Sequence, residues 1–294
     1  MIDIKDLIVR DPFIVPWQGE YYMTGSAGGA IGEDVKMYCS VDLKNWEDLG
    51  VIYKTTQASW VSRDAWACEI HRYKGKFYAF VSSLGKNGLR GTQIAVCDTI
   101  DGKYVPLTDR PVTPIDKSCI DCTFFEQNGM PYIVYSRDWP DNYSAEKDCY
   151  IGQIWAAALE ADLSQIKGEP FLLFNSNDAP LSAKAPNKQV WLGKDVWRYG
   201  SDGPFVHKLE NGSLLLLWSP VLGRNYVVLG AISKNGDIHG PWEHIDKPLY
   251  DKNGGHAMIF TDFYKQKIMS LHTEKMMEER AVFVDITEKL KNCI

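Results

Sequence analysis

Apolar and aromatic positions along the chain fall into short runs separated by polar links and glycines, and one arrangement of them returns five times. Each copy opens on a small or acidic residue, continues as a β-prone stretch, turns, and closes on a second apolar or aromatic stretch. The copies are Arg10–Ser26, Ala65–Ser83, Ile120–Ser136, Ser201–Ser219 and Gly254–His272. Gln18-Gly19, Lys74-Gly75, Asn128-Gly129 and Asn211-Gly212 mark the first four turns, and Asn-Gly between β-prone runs is a strong hairpin signal. The fifth copy carries Tyr264-Lys265-Gln266 instead, which predicts a longer turn or one of another type.

After four of these hairpins a second strand pair follows, in 37–50, 92–107, 154–170 and 227–245. Four strands per unit repeated five times is the pattern of a propeller blade, and no long window carries helical periodicity. The expected fold is all-β, a single five-bladed β-propeller over residues 1–294, with a β-sandwich of hairpins as the alternative. The longer gap between the third and fourth copies lies in Asp138–Asp148 and Asn175–Tyr199. Their Asn, Asp, Pro, Ser and Lys content predicts loops over one mouth of the channel.

In a propeller the first strand of each blade lines the central channel, so corresponding positions of the five copies converge. The residues read at that position are Asp11, Glu69, Asp121, Asp202 and His256. Any one of them has an ordinary structural role at a strand start. Carboxylates gathered together repel and lose hydration, at a cost of several kcal/mol unless partners relieve it. Paired carboxylates are also the machinery of glycoside hydrolysis, one protonating the leaving oxygen and the other activating water or attacking the sugar.

Arg10-Asp11-Pro12-Phe13, Trp66-Ala67-Cys68-Glu69, Ile120-Asp121 before Thr123-Phe124-Phe125, Asp202-Gly203-Pro204-Phe205 and Gly255-His256 together resemble glycoside hydrolase family 43. The resemblance covers nearly the whole chain, with one element per blade in the right order. It implies an exo-acting, inverting hydrolase that removes a terminal α-L-arabinofuranosyl or β-D-xylosyl residue from plant-type oligosaccharides. By that resemblance Asp11 matches the general base, and Asp121 the aspartate that tunes the acid and contacts the sugar.

The acid departs from the family pattern. Where members carry Glu-Gly-Pro this chain has Asp202-Gly203-Pro204, one methylene shorter, and Glu69 is the alternative donor. The same departure motivates a second reading, a catalytically impaired sugar-binding propeller. His256 matches a histidine that in relatives contacts a channel metal ion, often calcium; no cofactor is otherwise required. Arg224 and His272 are candidates for contacts to sugar hydroxyls or to the carboxylates. Trp17 and Trp66 are candidates for stacking on a sugar face.

Composition narrows the partners. The net charge of -6 without a Lys/Arg run gives no electrostatic basis for nucleic acid or an anionic membrane and suits a neutral or weakly charged ligand; the resemblance implies an oligosaccharide. Seven cysteines, an odd number, and an N-terminus without a basic stretch and apolar run point to the cytoplasm. Cys119 and Cys122 form a lone C-x-x-C with no second pair at zinc spacing.

Overall fold

A computed structural model describes residues 1–27, 32–273 and 278–291. The described chain is built from strands, with α-helix confined to Pro180–Ala183 and Thr287–Lys291. It divides into two compact units, one of Met1–Thr113 with the segment from Ala257 onward, the other of Pro114–His256.

The first unit holds two complete antiparallel sheets. One runs Val9–Trp17, Glu20–Ala27, Asp34–Ser40 and Asn45–Lys54, with Ile2–Asp3 added at its outer edge against Asn45 and Trp46. The other runs Val61–Tyr73, Lys76–Gly85, Arg90–Cys97 and Val105–Pro106. A three-stranded sheet follows from Gly254–Thr261, the strand in which the chain leaves the second unit, to Lys267–Thr273 and Ala281–Asp285. Met37, Ile52, Ile70, Phe77, Val81 and Tyr104 form the centre of this unit's core. Each such side chain contributes about 1.5–3 kcal/mol by leaving water.

The second unit repeats the meander twice. Cys119–Gln127, Met130–Arg137, Gln153–Ala158 and Phe171–Asn175 make one sheet; Asp202–Lys208, Leu214–Ser219, Leu229–Ser233 and Glu243–His244 make the next. Val134, Ile154, Phe174, Leu216 and Trp218 pack between them.

The turns follow their residues. Gln18-Gly19, Lys74-Gly75 and Asn128-Gly129 all have positive φ at both positions, as two-residue hairpins require. At Asn211-Gly212 the link is longer: the Asn211 carboxamide accepts the Ser213 N–H, and Leu209 N–H donates to Ser213 O. The fifth link, Asp262–Gln266, is closed by the Asp262 carboxylate, which accepts the N–H groups of Tyr264 and Gln266.

The two stretches expected to be loops contain strands. Tyr143–Ser144, Cys149–Ile151, Lys194–Tyr199 and Asn187–Trp191 form a further four-stranded sheet of the second unit. The polar composition masked a hairpin turning at Leu192-Gly193 between the adjacent pairs Val190-Trp191 and Val196-Trp197. Trp139 anchors it, meeting Tyr150 and Trp191 edge-on at 5.8 and 5.2 Å, with the Arg198 guanidinium 4.7 Å above its ring.

Candidate active site

Four of the first strands carry the same β-bulge. Asp11-Pro12 stand opposite Gly25, Ala67-Cys68 opposite Val81, Asp121-Cys122 opposite Tyr135, and Gly203-Pro204 opposite Trp218. The residue before each bulge pairs with a serine: Arg10 with Ser26, Trp66 with Ser82, Ile120 with Ser136, Asp202 with Ser219. The first bulge residue is left-handed every time, with φ of 50° at Asp11, 46° at Ala67, 56° at Asp121 and 57° at Gly203; His256 has 53°. Such a backbone costs about 1–3 kcal/mol at a non-glycine residue and persists only where its surroundings enforce it. Ala67 shares it without any polar side chain, so the bend belongs to the sheets. What distinguishes Asp11, Asp121 and His256 is the group they project from it.

This register corrects the sequence alignment of the copies. Asp11 and Asp121 occupy the bulge position together with Ala67 and Gly203, and His256 shares their left-handed φ. Asp202 precedes the bulge by one residue, where the other copies have Arg10, Trp66 and Ile120. Glu69 lies two residues beyond Ala67, in the position of Phe13, Thr123 and Phe205. The serine closing each second strand is the signal that aligns the copies correctly.

In the first unit Asp11 is held from three directions. Ser26 Oγ donates to Asp11 Oδ2 at 2.5 Å and itself accepts the Ala67 N–H at 2.7 Å. The Asp11 N–H donates to His272 Nδ1 at 3.1 Å, and that nitrogen lies 3.3 Å from Asp11 Oδ1. On the preceding residue, Arg10 Nη1 donates to the fully buried Glu279 carboxylate at 3.0 Å. The Asp11 side chain retains 9% of its exposure, whereas His272 has none. An opening of about 560 Å³ adjoins this corner, lined by Val9, Gly25, Ser26, Lys36, Tyr38 and Lys54 among others.

The other candidates of this unit are engaged elsewhere. The Glu69 carboxylate meets His71 Nε2 at 2.6 Å, and the His71 ring packs 4.9 Å from Phe13 and 5.5 Å from Phe80. Glu69 is therefore a buried carboxylate in the layer between the first two sheets. Trp66 lies under the Arg90 guanidinium at 3.3 Å, and Arg90 is fixed by Asp64 at 2.9 Å. Trp17 sits at the turn end of its strand, edge-on to Phe77 at 5.3 Å and below Arg72 at 4.9 Å. Six residues of extended chain, about 20 Å, separate it from Asp11.

In the second unit Asp121, 6% exposed, accepts the Gly203 N–H on Oδ2 at 3.0 Å. The same oxygen stands 3.8 Å from His256 Nδ1. His256 donates its own N–H to Ser219 Oγ at 2.8 Å, and a Cβ at Gly203 would lie 2.7–2.9 Å from the His256 ring and Cα. Asp202, half-buried, is joined through the chain to Gly203 and across the strand pair to Ser219. Behind it Ser201 Oγ and Ser136 Oγ share a hydrogen bond of 2.6 Å. Arg224 occupies the exposed tip of the hairpin Val221–Leu222/Asn225–Tyr226 and joins neither cluster.

The donors do not fit the calcium expected at His256. Calcium takes six to eight oxygen ligands. Beside His256 stands one carboxylate, Asp121, already bonded to a backbone amide, and among the described residues no three His, Cys, Asp or Glu side chains are gathered. Cys119 and Cys122 are both buried, and burial pushes the Cys119 thiol well above its ordinary value, away from the reactive thiolate.

The ordered motifs and the strand scaffold meet in one family: the chain matches glycosyl hydrolases family 43 over residues 4–285 and belongs to it. It is a glycoside hydrolase by that membership. An endo-arabinase from Bacteroides thetaiotaomicron superposes with a TM-score of 0.85 at 30% identity, over 97% of this chain and 96% of that one. A xylosidase/arabinosidase of Bacteroides ovatus is 21% identical over 242 residues, 71% of this chain and 72% of the relative. Xylosidase/arabinosidase 43A of Humicola insolens is 29% identical over 105 residues, so the match spans 35% of this chain and 30% of that relative.

Proposed function

We propose that the chain is a five-bladed β-propeller hydrolase that removes a terminal α-L-arabinofuranosyl or β-D-xylosyl residue from plant-type oligosaccharides with inversion. Five antiparallel meander sheets and the pentoside-cleaving names of its relatives support the reading. The observation that carries it is the Asp11 carboxylate, fixed on a left-handed bulge by Ser26 and tied through its backbone to His272. A carboxylate so restrained suits a general base, whose value depends on its position relative to one water.

In this mechanism Asp11 takes a proton from the attacking water while Asp202 gives one to the departing glycosidic oxygen, through an oxocarbenium-like transition state. Asp121, anchored to the Gly203 amide, is the third carboxylate of the family pattern and orients the strand that carries Asp202. Asp202 is preferred to Glu69 as the acid because Glu69 is committed to His71. The shorter reach of Asp202 requires the leaving oxygen to sit closer to its strand than a glutamate would.

The likeness to an endo-arabinase favours a second reading, internal cleavage of an arabinan chain. Incubation with aryl α-L-arabinofuranoside, β-D-xyloside and β-D-galactofuranoside, and with linear arabino- and xylo-oligosaccharides, tests both. Terminal action releases monosaccharide from the first time point; internal cleavage releases shorter oligosaccharides. Binding of the oligosaccharides without turnover of any substrate would contradict both readings and leave a sugar-binding propeller.

A further inference from the structure

The left-handed bulge points a backbone N–H away from its own sheet, and a side chain at the end of a neighbouring second strand receives it. Ser26 Oγ takes the Ala67 N–H at 2.7 Å, and Ser219 Oγ takes the His256 N–H at 2.8 Å. Ser26 and Ser219 close the strands Glu20–Ala27 and Leu214–Ser219, just as His272 closes Lys267–Thr273. At Asp11 the acceptor is His272 Nδ1, at 3.1 Å. The fold thus uses serine at this position, as Ser82 and Ser136 also show, and replaces it with imidazole where the acceptor faces Asp11.

The replacement has a chemical consequence. Because Nδ1 accepts the Asp11 N–H, it must present a lone pair, which places the ring hydrogen on Nε2. A serine there would bring a hydroxyl hydrogen free to rotate onto the carboxylate, as the Ser26 hydroxyl does at Asp11 Oδ2. The imidazole instead fixes the backbone of Asp11 while offering no hydrogen from Nδ1 to Oδ1, 3.3 Å away. Being planar and fully buried, it also sets this distance more rigidly than a serine rotamer would.

We propose that His272 is a positioning residue for Asp11: its Nδ1 accepts the Asp11 amide and so aims Oδ1 at the attacking water. The inference rests on the reading of Asp11 as general base. It predicts that what matters at position 272 is an acceptor at the Nδ1 point. Asparagine places its carboxamide oxygen close to that point, whereas glutamine carries its oxygen out to where Nε2 lies.

The test compares His272→Asn with His272→Gln on the best aryl pentoside, with folding checked by circular dichroism and Asp11→Asn assayed alongside. Misplacing a reacting group by about 1 Å costs on the order of 10²-fold, so kcat of His272→Gln should fall by about that factor with KM changed less than about threefold. His272→Asn should recover kcat to within about tenfold of wild type, since it restores the acceptor. Equal kcat in the two folded variants, or a loss expressed in KM alone, overturns the positioning role while Asp11→Asn remains inactive. An active Asp11→Asn overturns the reading of the base itself.

Discussion

The imidazole of His256 lies so close to the backbone of Gly203 that a Cβ there would stand 2.7 Å from its Cγ. Gly203 at the same time donates its N–H to Asp121 and follows Asp202 directly in the chain. One residue without a side chain therefore holds the histidine, a candidate catalytic carboxylate and the candidate acid in register.

Gly203→Ala should disturb all three. The left-handed φ costs alanine about 1–2 kcal/mol, and the methyl must push the His256 ring aside. Melting temperature is expected to fall by a few degrees, and kcat/KM by more than about tenfold, because the strand carrying Asp202 shifts. A variant that loses stability while keeping wild-type kcat/KM would separate Gly203 from the site.

His244 makes stability depend on pH. Its ring packs 4.7 Å from Phe174, its buried Nδ1 has no hydrogen-bond partner among the described residues, and burial holds its pKa below the ordinary value. The unfolded chain takes up this proton near pH 6.5 while the folded chain takes it up only at lower pH. Stability is then full above about pH 6.5 and is lost as pH falls from there toward the folded value. The melting temperature of His244→Phe relative to wild type should therefore rise as pH is lowered from about 7.5 to about 5.5; a constant difference would contradict the assignment.

The hairpins were readable in the sequence because Gln18-Gly19, Lys74-Gly75 and Asn128-Gly129 carry their turn geometry locally. The bulges were not. A bulge shifts the faces of a strand by one residue without altering its composition, so the acidic residues Glu69 and Asp202, which match Asp11 and Asp121 in sequence pattern, fall off the position that those two share. His272 could be read as a candidate, yet its contact with Asp11 joins residues 261 apart and depends on register. The sheet over Tyr143–Tyr199 was hidden for another reason: its strands are short and its stability comes from packing on Trp139 rather than from strand propensity.

The two candidate acids separate by leaving group. A sugar alkoxide needs protonation to depart, whereas a dinitrophenolate departs with little. Asp202→Ala should slow cleavage of a natural disaccharide by about 10²–10⁴-fold and of a dinitrophenyl glycoside far less. Glu69→Ala should lower both rates alike and lower stability, since it leaves His71 without its buried partner. The opposite assignment of the leaving-group effect would make Glu69 the donor.

Whether Asp11 is the general base is decided by the hydrolysis rate of Asp11→Asn on an aryl pentoside that the wild-type chain cleaves. The exchange keeps the shape and the oxygen that Ser26 bonds, but removes the site that accepts water's proton. With Asp11 as the base, kcat should fall by about 10²–10⁴-fold with an unchanged circular dichroism spectrum. Activity within about tenfold of wild type, in a folded variant, would contradict the assignment of Asp11 as the general base.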